Sequence, residues 1–256
     1  GDDVRRDHYL QKAQEENPKA ELALTLIQTQ LQIEQGQYDS ALGRLESVYA
    51  LHPRHPMVLD QLRQVYLARE DWAALIDLAP ALRKVGKLTS VQEEALLHQA
   101  WIGRLEAASG ALETLRPVWQ ALPRKLRQDP ALLASYGDRL RRLGADSEAA
   151  DLWLEALRKD PSPELFARLP KLRLDDYQPM LTLLKKIQDQ PGAEAALARI
   201  YLLAGQLDEA QRLLEQEVAK RPDAALYHAL GQVMDKRRLT NKANEYYRQA
   251  LQLADV

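Results

Sequence analysis

Residues 130–163 indicate the fold class most clearly, and they read PALLASYGDRLRRLGADSEAADLWLEALRKDPSP. Apolar side chains recur every three or four residues on both sides of Gly144, and Pro161 follows the second apolar run. This spacing is typical of two amphipathic helices, with a glycine where the first helix ends and a proline just beyond the second. The segment therefore predicts a helical hairpin.

The rest of the chain has the composition of a helical protein. Leu, Ala, Glu, Gln, Arg and Lys, which all favour helices, dominate the sequence, whereas Phe occurs once and runs of β-branched residues are short. Glycine and proline fall between the apolar segments and not within them. We therefore predict an all-α chain.

Composition also excludes several classes of protein. Thirty-five Lys and Arg against thirty-seven Asp and Glu give a net charge of -2, so no basic field points to nucleic acid as a partner. Cysteine is absent, which excludes disulfides, thiolate metal sites, iron–sulfur clusters and a cysteine nucleophile. No apolar run reaches the roughly 18–20 residues that a membrane-spanning helix needs.

The pattern of 130–163 recurs along the chain. Equivalent glycine, alanine and proline positions are filled by Gly36, Ala41 and Pro53, by Gly205, Ala210 and Pro222, and in part by Ala243, with Tyr247 at the aromatic position. These residues resemble the tetratricopeptide repeat, which implies stacked antiparallel helix pairs in an α-α superhelix. Small residues are expected where two helices cross, with aromatic side chains filling the space beside them.

We predict one repeat array over residues 1–256. It comprises a helix at 2–16, units at 22–55, 56–89, 130–163, 191–223 and 224–256, an atypical unit at 90–129 and an irregular unit at 164–190.

A narrower resemblance rests on three stretches of the first half. They are His52-Pro53-Arg54-His55-Pro56, Asp77-Leu78-x-Pro80 and Gln99-Ala100-Trp101-Ile102-Gly103. Together they resemble the C-terminal region of the HemY family, inner-membrane tetratricopeptide proteins associated with haem biosynthesis in Gram-negative bacteria. The resemblance implies attachment to the inner membrane through segments that this chain lacks, with this region on the cytoplasmic side. It implies no catalytic residues.

The sequence carries no recognisable catalytic motif. There is no Gly-x-Gly-x-x-Gly, no nucleophile elbow and no His-Glu-x-x-His, and its adjacent acidic pairs diverge by about 100° on a helix. We therefore expect a scaffold and not an enzyme, and the HemY resemblance implies that it gathers tetrapyrrole-pathway enzymes. A generic repeat adaptor in envelope assembly is an alternative.

In such arrays the first helices of successive units line a concave groove. Applying the repeat register predicts these groove residues: Gln64, Asp138, Arg141, Arg142, Arg199, His228, Gln232 and Lys236. Convergent cations there would suit carboxylates, whether from an acidic peptide or from a porphyrin. The alternative is an ordinary solvated polar face.

Two histidines suggest a second kind of site. His52 and His55 flank a Pro-Arg turn, and a His-x-x-His loop could ligate a metal or a haem iron. The alternative is that both simply decorate the turn. No cofactor is otherwise expected, and a haem- or porphyrin-binding protein remains the second functional hypothesis.

Overall fold

The computed structural model describes residues 18–254, with side chains from residue 20 onward. Fourteen α-helices and two short 3-10 helices are present in this range, which contains no β-strand. The prediction of an all-α chain is therefore confirmed. The helix predicted at 2–16 lies outside the described residues. The chain divides between residues 107 and 108 into two compact units, and this boundary falls inside the predicted unit 90–129.

The first unit contains five helices. They are α1 (Pro18–Glu34), α2 (Tyr38–Leu51), α3 (Pro56–Ala68), α4 (Trp72–Lys84) and α5 (Ser90–Ala107).

The second unit contains nine helices and both 3-10 turns, at Leu126–Gln128 and Leu169–Lys171. The helices are α6 (Leu112–Ala121), α7 (Pro130–Arg142), α8 (Asp146–Lys159), α9 (Pro163–Phe166), α10 (Gln178–Lys186), α11 (Ala193–Leu203), α12 (Leu207–Lys220), α13 (Ala224–Lys236) and α14 (Thr240–Ala254).

Glycine–aromatic contacts hold the clearest hairpins together. Gly137 of α7 lies directly beneath the indole of Trp153 of α8, so that a Cβ at Gly137 would overlap the ring. The Trp153 indole N–H donates to the Leu133 carbonyl of α7 at 2.9 Å, which leaves its polar group satisfied although the side chain is fully buried. Gly231 of α13 lies beneath Tyr247 of α14 in the same way. Close helix contact therefore depends on these glycines.

The alanine predicted near the start of each second helix is buried without exception. Ala41, Ala149, Ala210 and Ala243 are each 0% exposed, and Leu75 is equally buried at the equivalent place in α4. A larger side chain at the alanine positions would push the paired helices apart.

The turn after each first helix uses a left-handed residue. Gly36, Gly144 and Gly205 have φ of 73°, 77° and 75°, as the repeat pattern predicts. The two units that lack this glycine keep the same turn, because Glu70 and Arg238 have φ of 54° and 60°. The hairpin geometry therefore holds these two residues in a conformation that costs about 1–2 kcal/mol for a side chain with a Cβ.

The expectation that glycine and proline fall only between helices was wrong. Gly43, Gly103, Gly137 and Gly231 lie inside helices, and so do two prolines. Pro80 lies inside α4 and Pro117 inside α6. Each proline removes one backbone hydrogen bond from its helix. Both prolines lie on the exposed side of their helices.

None of the helices between residues 18 and 254 is long and apolar enough to cross a bilayer.

Candidate functional site

A cavity of about 320 Å³ lies between α11 and α13 in the second unit. We call it the cationic cavity. It is lined by Pro170, Arg199, Leu202, Leu203, Ala225, His228, Ala229 and Gln232. Three of the predicted groove residues, Arg199, His228 and Gln232, are therefore brought together, and none of the lining residues is acidic.

The guanidinium of Arg199 is the free charge of the cationic cavity. Arg199 is half-buried, and no residue within 18–254 pairs with it. Lys236, also predicted for the groove, donates instead to the Leu202 carbonyl at the end of α11, at an Nζ–O distance of 3.0 Å. Its positive charge stabilises the carbonyl end of that helix. An anion entering the cavity would therefore meet Arg199 first.

The wall of the cavity at His228 is braced by two residues of the last hairpin. The Tyr247 ring lies 5.4 Å from the His228 ring, and its hydroxyl donates to an Asp235 carboxylate oxygen at 2.6 Å. Burial, together with this hydrogen bond, raises the pKa of Tyr247 to about 12. Asp235, the residue that precedes Lys236 on α13, is therefore engaged by Tyr247.

Asp138 and Arg141 form a separate ion-pair cluster on α7. The Asp138 carboxylate accepts from Arg168 Nε at 3.0 Å, and Arg141 Nε lies 3.9 Å from its other oxygen. Arg168 also lies 3.4 Å from the Glu164 carboxylate, so it links α7 to the segment around α9. Arg142 is exposed. The charges of Asp138, Arg141 and Arg168 are therefore largely paired within the chain.

Gln64 is the predicted groove residue of the first unit. It lies on α3, half-buried, and its amide nitrogen lies 3.5 Å from Asp60 Oδ2, while Arg63 donates to the other oxygen, Oδ1. The side-chain hydrogen bond of Gln64 is therefore made within its own helix.

A second, larger cavity of about 910 Å³ lies between α1 and α3. We call it the apolar cavity. Its walls are Leu22, Ala23, Leu26, Ile27, Leu31 and Met57, with His52 and His55 at the turn before α3 and Gln30 and Gln61 at the floor. The two histidines singled out in the sequence therefore face an apolar space whose volume is typical of small-molecule sites.

The floor of the apolar cavity is a buried hydrogen-bond network. The Thr29 hydroxyl lies 2.6 Å from the Gln61 amide oxygen, while the Gln61 amide nitrogen donates to the Leu26 carbonyl at 2.8 Å. The Gln30 amide oxygen also accepts from Gln61, at 3.3 Å. By contrast, the buried Nδ1 of His55 has no partner among residues 18–254. Of the polar side chains that line this cavity, the histidines therefore make the fewest hydrogen bonds to the rest of the protein.

Neither cavity holds a multidentate protein metal site. Across the described part of the chain, no three His or acidic side chains converge closely enough to bind a metal ion.

Comparison with known proteins agrees with this architecture. The family described as tetratricopeptide repeat matches residues 180–233, from α10 into α13. The HemY proteins of Escherichia coli strain K12, Escherichia coli O157:H7 and Shigella flexneri are each 24% identical to the chain over 259 residues. The alignments cover 99% of this chain and 65% of each relative. The chain is therefore similar to HemY proteins over nearly its whole length and carries a tetratricopeptide-repeat match in its second unit. It spans about two thirds of the length of the curated relatives it matches.

The repeat register identified some of the residues at these sites and missed others. It missed Pro170 of the cationic cavity and Arg168, the ion-pair partner of Asp138, because both lie in the irregular segment at 164–190, where no repeat numbering applies. It also missed the apolar walls around His52, although the apolar residues Ile27 and Leu31 of α1 are 59% and 51% exposed. Exposed apolar side chains at i and i+4 of one helix are a signal that a search for core residues overlooks.

Proposed function

We propose that this HemY-type region is a non-enzymatic interaction module of a protein associated with haem biosynthesis. In the full-length protein it is tethered to the inner membrane, faces the cytoplasm and gathers tetrapyrrole-pathway enzymes. The observation that supports this proposal is the cationic cavity, where Arg199 and His228 line an opening without any acidic side chain.

The cavity suits a carboxylate on a partner protein. Arg199 can form two parallel hydrogen bonds to one carboxylate, and Gln232 can donate a further one. Leu202, Leu203 and Ala229 make the surroundings apolar, which strengthens such an ion pair compared with one in water. An acidic side chain or a chain terminus of a partner therefore fits the site.

A module of this kind needs no reactive group. Holding two enzymes beside each other at a membrane raises their effective concentration, so an intermediate released by one reaches the other sooner. This contribution requires only binding surfaces on a rigid frame. The absence of catalytic motifs in the sequence is consistent with it.

Photo-crosslinking in intact membranes tests the proposal. A benzophenone amino acid replaces Gln232 beside the cavity, or Gln216 on the exposed face of α12 as the matched control. The full-length membrane form is used, and attached proteins are identified. We expect tetrapyrrole-pathway enzymes from position 232, with much lower yield from position 216 and with added salt, because salt screens the charges.

Either of two results would contradict this proposal. Equal capture from both positions would show that the cavity is not the site. Capture of envelope-assembly proteins alone from position 232 would support the generic adaptor instead.

A second candidate function, binding of haem or a porphyrin, is favoured by the apolar cavity. A flat apolar macrocycle would be covered by Leu26, Ile27 and Met57, and His52 or His55 would supply an imidazole for the iron. Haem bound there would give this region the ability to hold a pathway product between enzymes. The chain itself would contribute the binding, the exclusion of water and an imidazole nitrogen for the iron.

Titration with haemin tests this candidate. A Soret shift is expected at micromolar ligand, with its loss in the double variant His52→Ala, His55→Ala. The matched control is His98→Ala, which removes a histidine of α5 outside the cavity. An unchanged Soret band, or a shift that the double variant retains, would exclude the site.

A further inference from the structure

A third opening continues the cationic cavity across the last hairpin. It has a volume of about 640 Å³ and is lined by Ala224, Ala225, His228, Tyr247, Ala250, Leu251 and Ala254. We call it the alanine trough. It shares Ala225 and His228 with the cationic cavity, so the two openings are neighbours along one surface of the second unit.

The alanine trough has the shape that accepts a helix. On α14 its lining residues are Tyr247, Ala250, Leu251 and Ala254, which are spaced i, i+3, i+4 and i+7 and therefore form one stripe. Alanine side chains on both α13 and α14 leave room for another helix to approach closely. Leu251 is 65% exposed in the middle of this stripe, and Leu253 beside it is 41% exposed. Covering Leu251 would remove apolar area from water.

The two ends of this continuous surface have different chemistry. The trough offers apolar contact, whereas the cationic cavity offers Arg199 and Gln232 to an anion. We infer that the trough and cavity together bind an amphipathic helix of a partner protein, whose apolar stripe lies on the trough and whose carboxylate reaches Arg199. This inference rests on the proposed function and deepens it by naming the chemistry of the partner.

A helix accounts for both parts of the surface better than an extended segment does. Seven residues separate Tyr247 from Ala254, which corresponds to a stripe of roughly 10 Å along α14. A bound helix would match it with its own side chains at i, i+3, i+4 and i+7. A carboxylate one turn beyond that stripe would point to the same side, towards the cavity.

Three designed peptides of roughly 18 residues, or about five helical turns, probe the surface. The first carries a leucine stripe and a glutamate pair one turn beyond it. The second replaces the glutamates by glutamines. The third has the composition of the first with its order changed so that no stripe remains. Each is labelled with fluorescein, and its binding to the full chain is measured by fluorescence anisotropy.

The acidic striped peptide is expected to bind most tightly. The glutamine peptide should bind about tenfold more weakly, because it loses the charged hydrogen bonds to Arg199. The reordered peptide should not bind. In Arg199→Gln, the acidic and glutamine peptides should bind equally well. Leu251→Asp should abolish binding of both striped peptides, whereas Leu24→Asp, which changes an exposed leucine of the first unit, should leave their affinities unchanged.

Several outcomes would overturn the inference. They are no binding of the acidic peptide at about millimolar concentration, equal binding of the reordered peptide, and affinities that Leu251→Asp leaves intact while circular dichroism shows the variant folded. A concentration-dependent dimer that Leu251→Asp converts to a monomer would instead assign the trough to a second copy of this chain. If crosslinking from position 232 still captures tetrapyrrole-pathway enzymes in Leu251→Asp, the proposed function stands and this inference fails.

Discussion

The apolar and cationic cavities lie at equivalent places, each between the first helices of successive repeats, yet their chemistry is opposite. Repeat positions are counted from the first residue of each predicted unit. Position 9 is Gln30 in the apolar cavity and Arg199 in the cationic cavity. Position 2 of the following helix is Met57 in the first and Ala225 in the second. The same hairpin frame therefore presents an uncharged, roomy pocket in one unit and a small charged opening in the other.

This comparison separates the residues that make the frame from the residues that define a site. Buried alanines, glycine–aromatic contacts and left-handed turns recur in both units, because helix pairs need them wherever they stand. The side chains at positions 2 and 9 differ between the two units, because they line an opening and are not part of the hairpin contact. Function in this chain is expected to follow from those variable positions.

The largest effect is expected from breaking the frame of the second unit. Gly137→Ala places a Cβ against the buried Trp153 indole and should lower the free energy of unfolding by about 3 kcal/mol. Gly43→Ala, inside α2 with open space around it, should raise that energy by about 0.5–1 kcal/mol. Urea unfolding of both variants measures whether each change raises or lowers the free energy of unfolding. A loss of stability in Gly43→Ala similar to that in Gly137→Ala would contradict the role given to the glycine–aromatic contact.

The floor of the apolar cavity is the next test. Gln61→Ala leaves the buried Thr29 hydroxyl without its side-chain partner and should cost about 2 kcal/mol. Gln64→Ala, one turn further along α3, removes only a 3.5 Å contact and should stay within about 0.5 kcal/mol of the parent. Thermal or urea unfolding distinguishes them. Equal effects would mean that the network does not support this cavity.

The left-handed turn offers a test with opposite signs at one repeat position. Glu70→Gly should stabilise the chain by about 1 kcal/mol, because glycine adopts φ of 54° without strain. Gly36→Ala, at the same position of the preceding repeat, should destabilise it by about 1 kcal/mol. Unfolding midpoints of the two variants check the prediction. A destabilising Glu70→Gly would show that Glu70 contributes contacts that outweigh the strain.

A smaller effect is expected at high pH in the second unit. Burial, and then the neighbouring Glu148 carboxylate, raise the pKa of Tyr136 to about 12. An unfolded tyrosine ionises near pH 10, so the stability that Tyr136 adds is present below that pH and is lost as the pH rises towards 12. The urea midpoint should therefore fall less between about pH 8 and about pH 11 in Tyr136→Phe than in the parent chain. An equal fall of the urea midpoint in Tyr136→Phe and in the parent chain would contradict this assignment.

The sequence predicted the frame better than it predicted the sites. Gly144 and Trp153 could be identified because hairpin geometry accepts few alternatives at their positions. Glu70 and Arg238 were missed as left-handed residues, since the glycine that signals the turn is absent and only the repeat numbering points to them. Arg199 and His228 could be placed on one face from that numbering. The pairing of Asp138 with Arg168 could not be predicted, because Arg168 belongs to the segment where the repeat is interrupted.

The contrast between the two cavities is tested most directly by crosslinking from position 232 in membranes that contain the full-length protein with Arg199→Glu, with His52→Ala and His55→Ala together, or with Arg212→Glu on the exposed side of α12. The charge reversal at Arg199 should abolish capture of tetrapyrrole-pathway enzymes, and the other two changes should preserve it. Capture that survives Arg199→Glu, or that falls equally with Arg212→Glu, would show that the cationic cavity is not where partners bind.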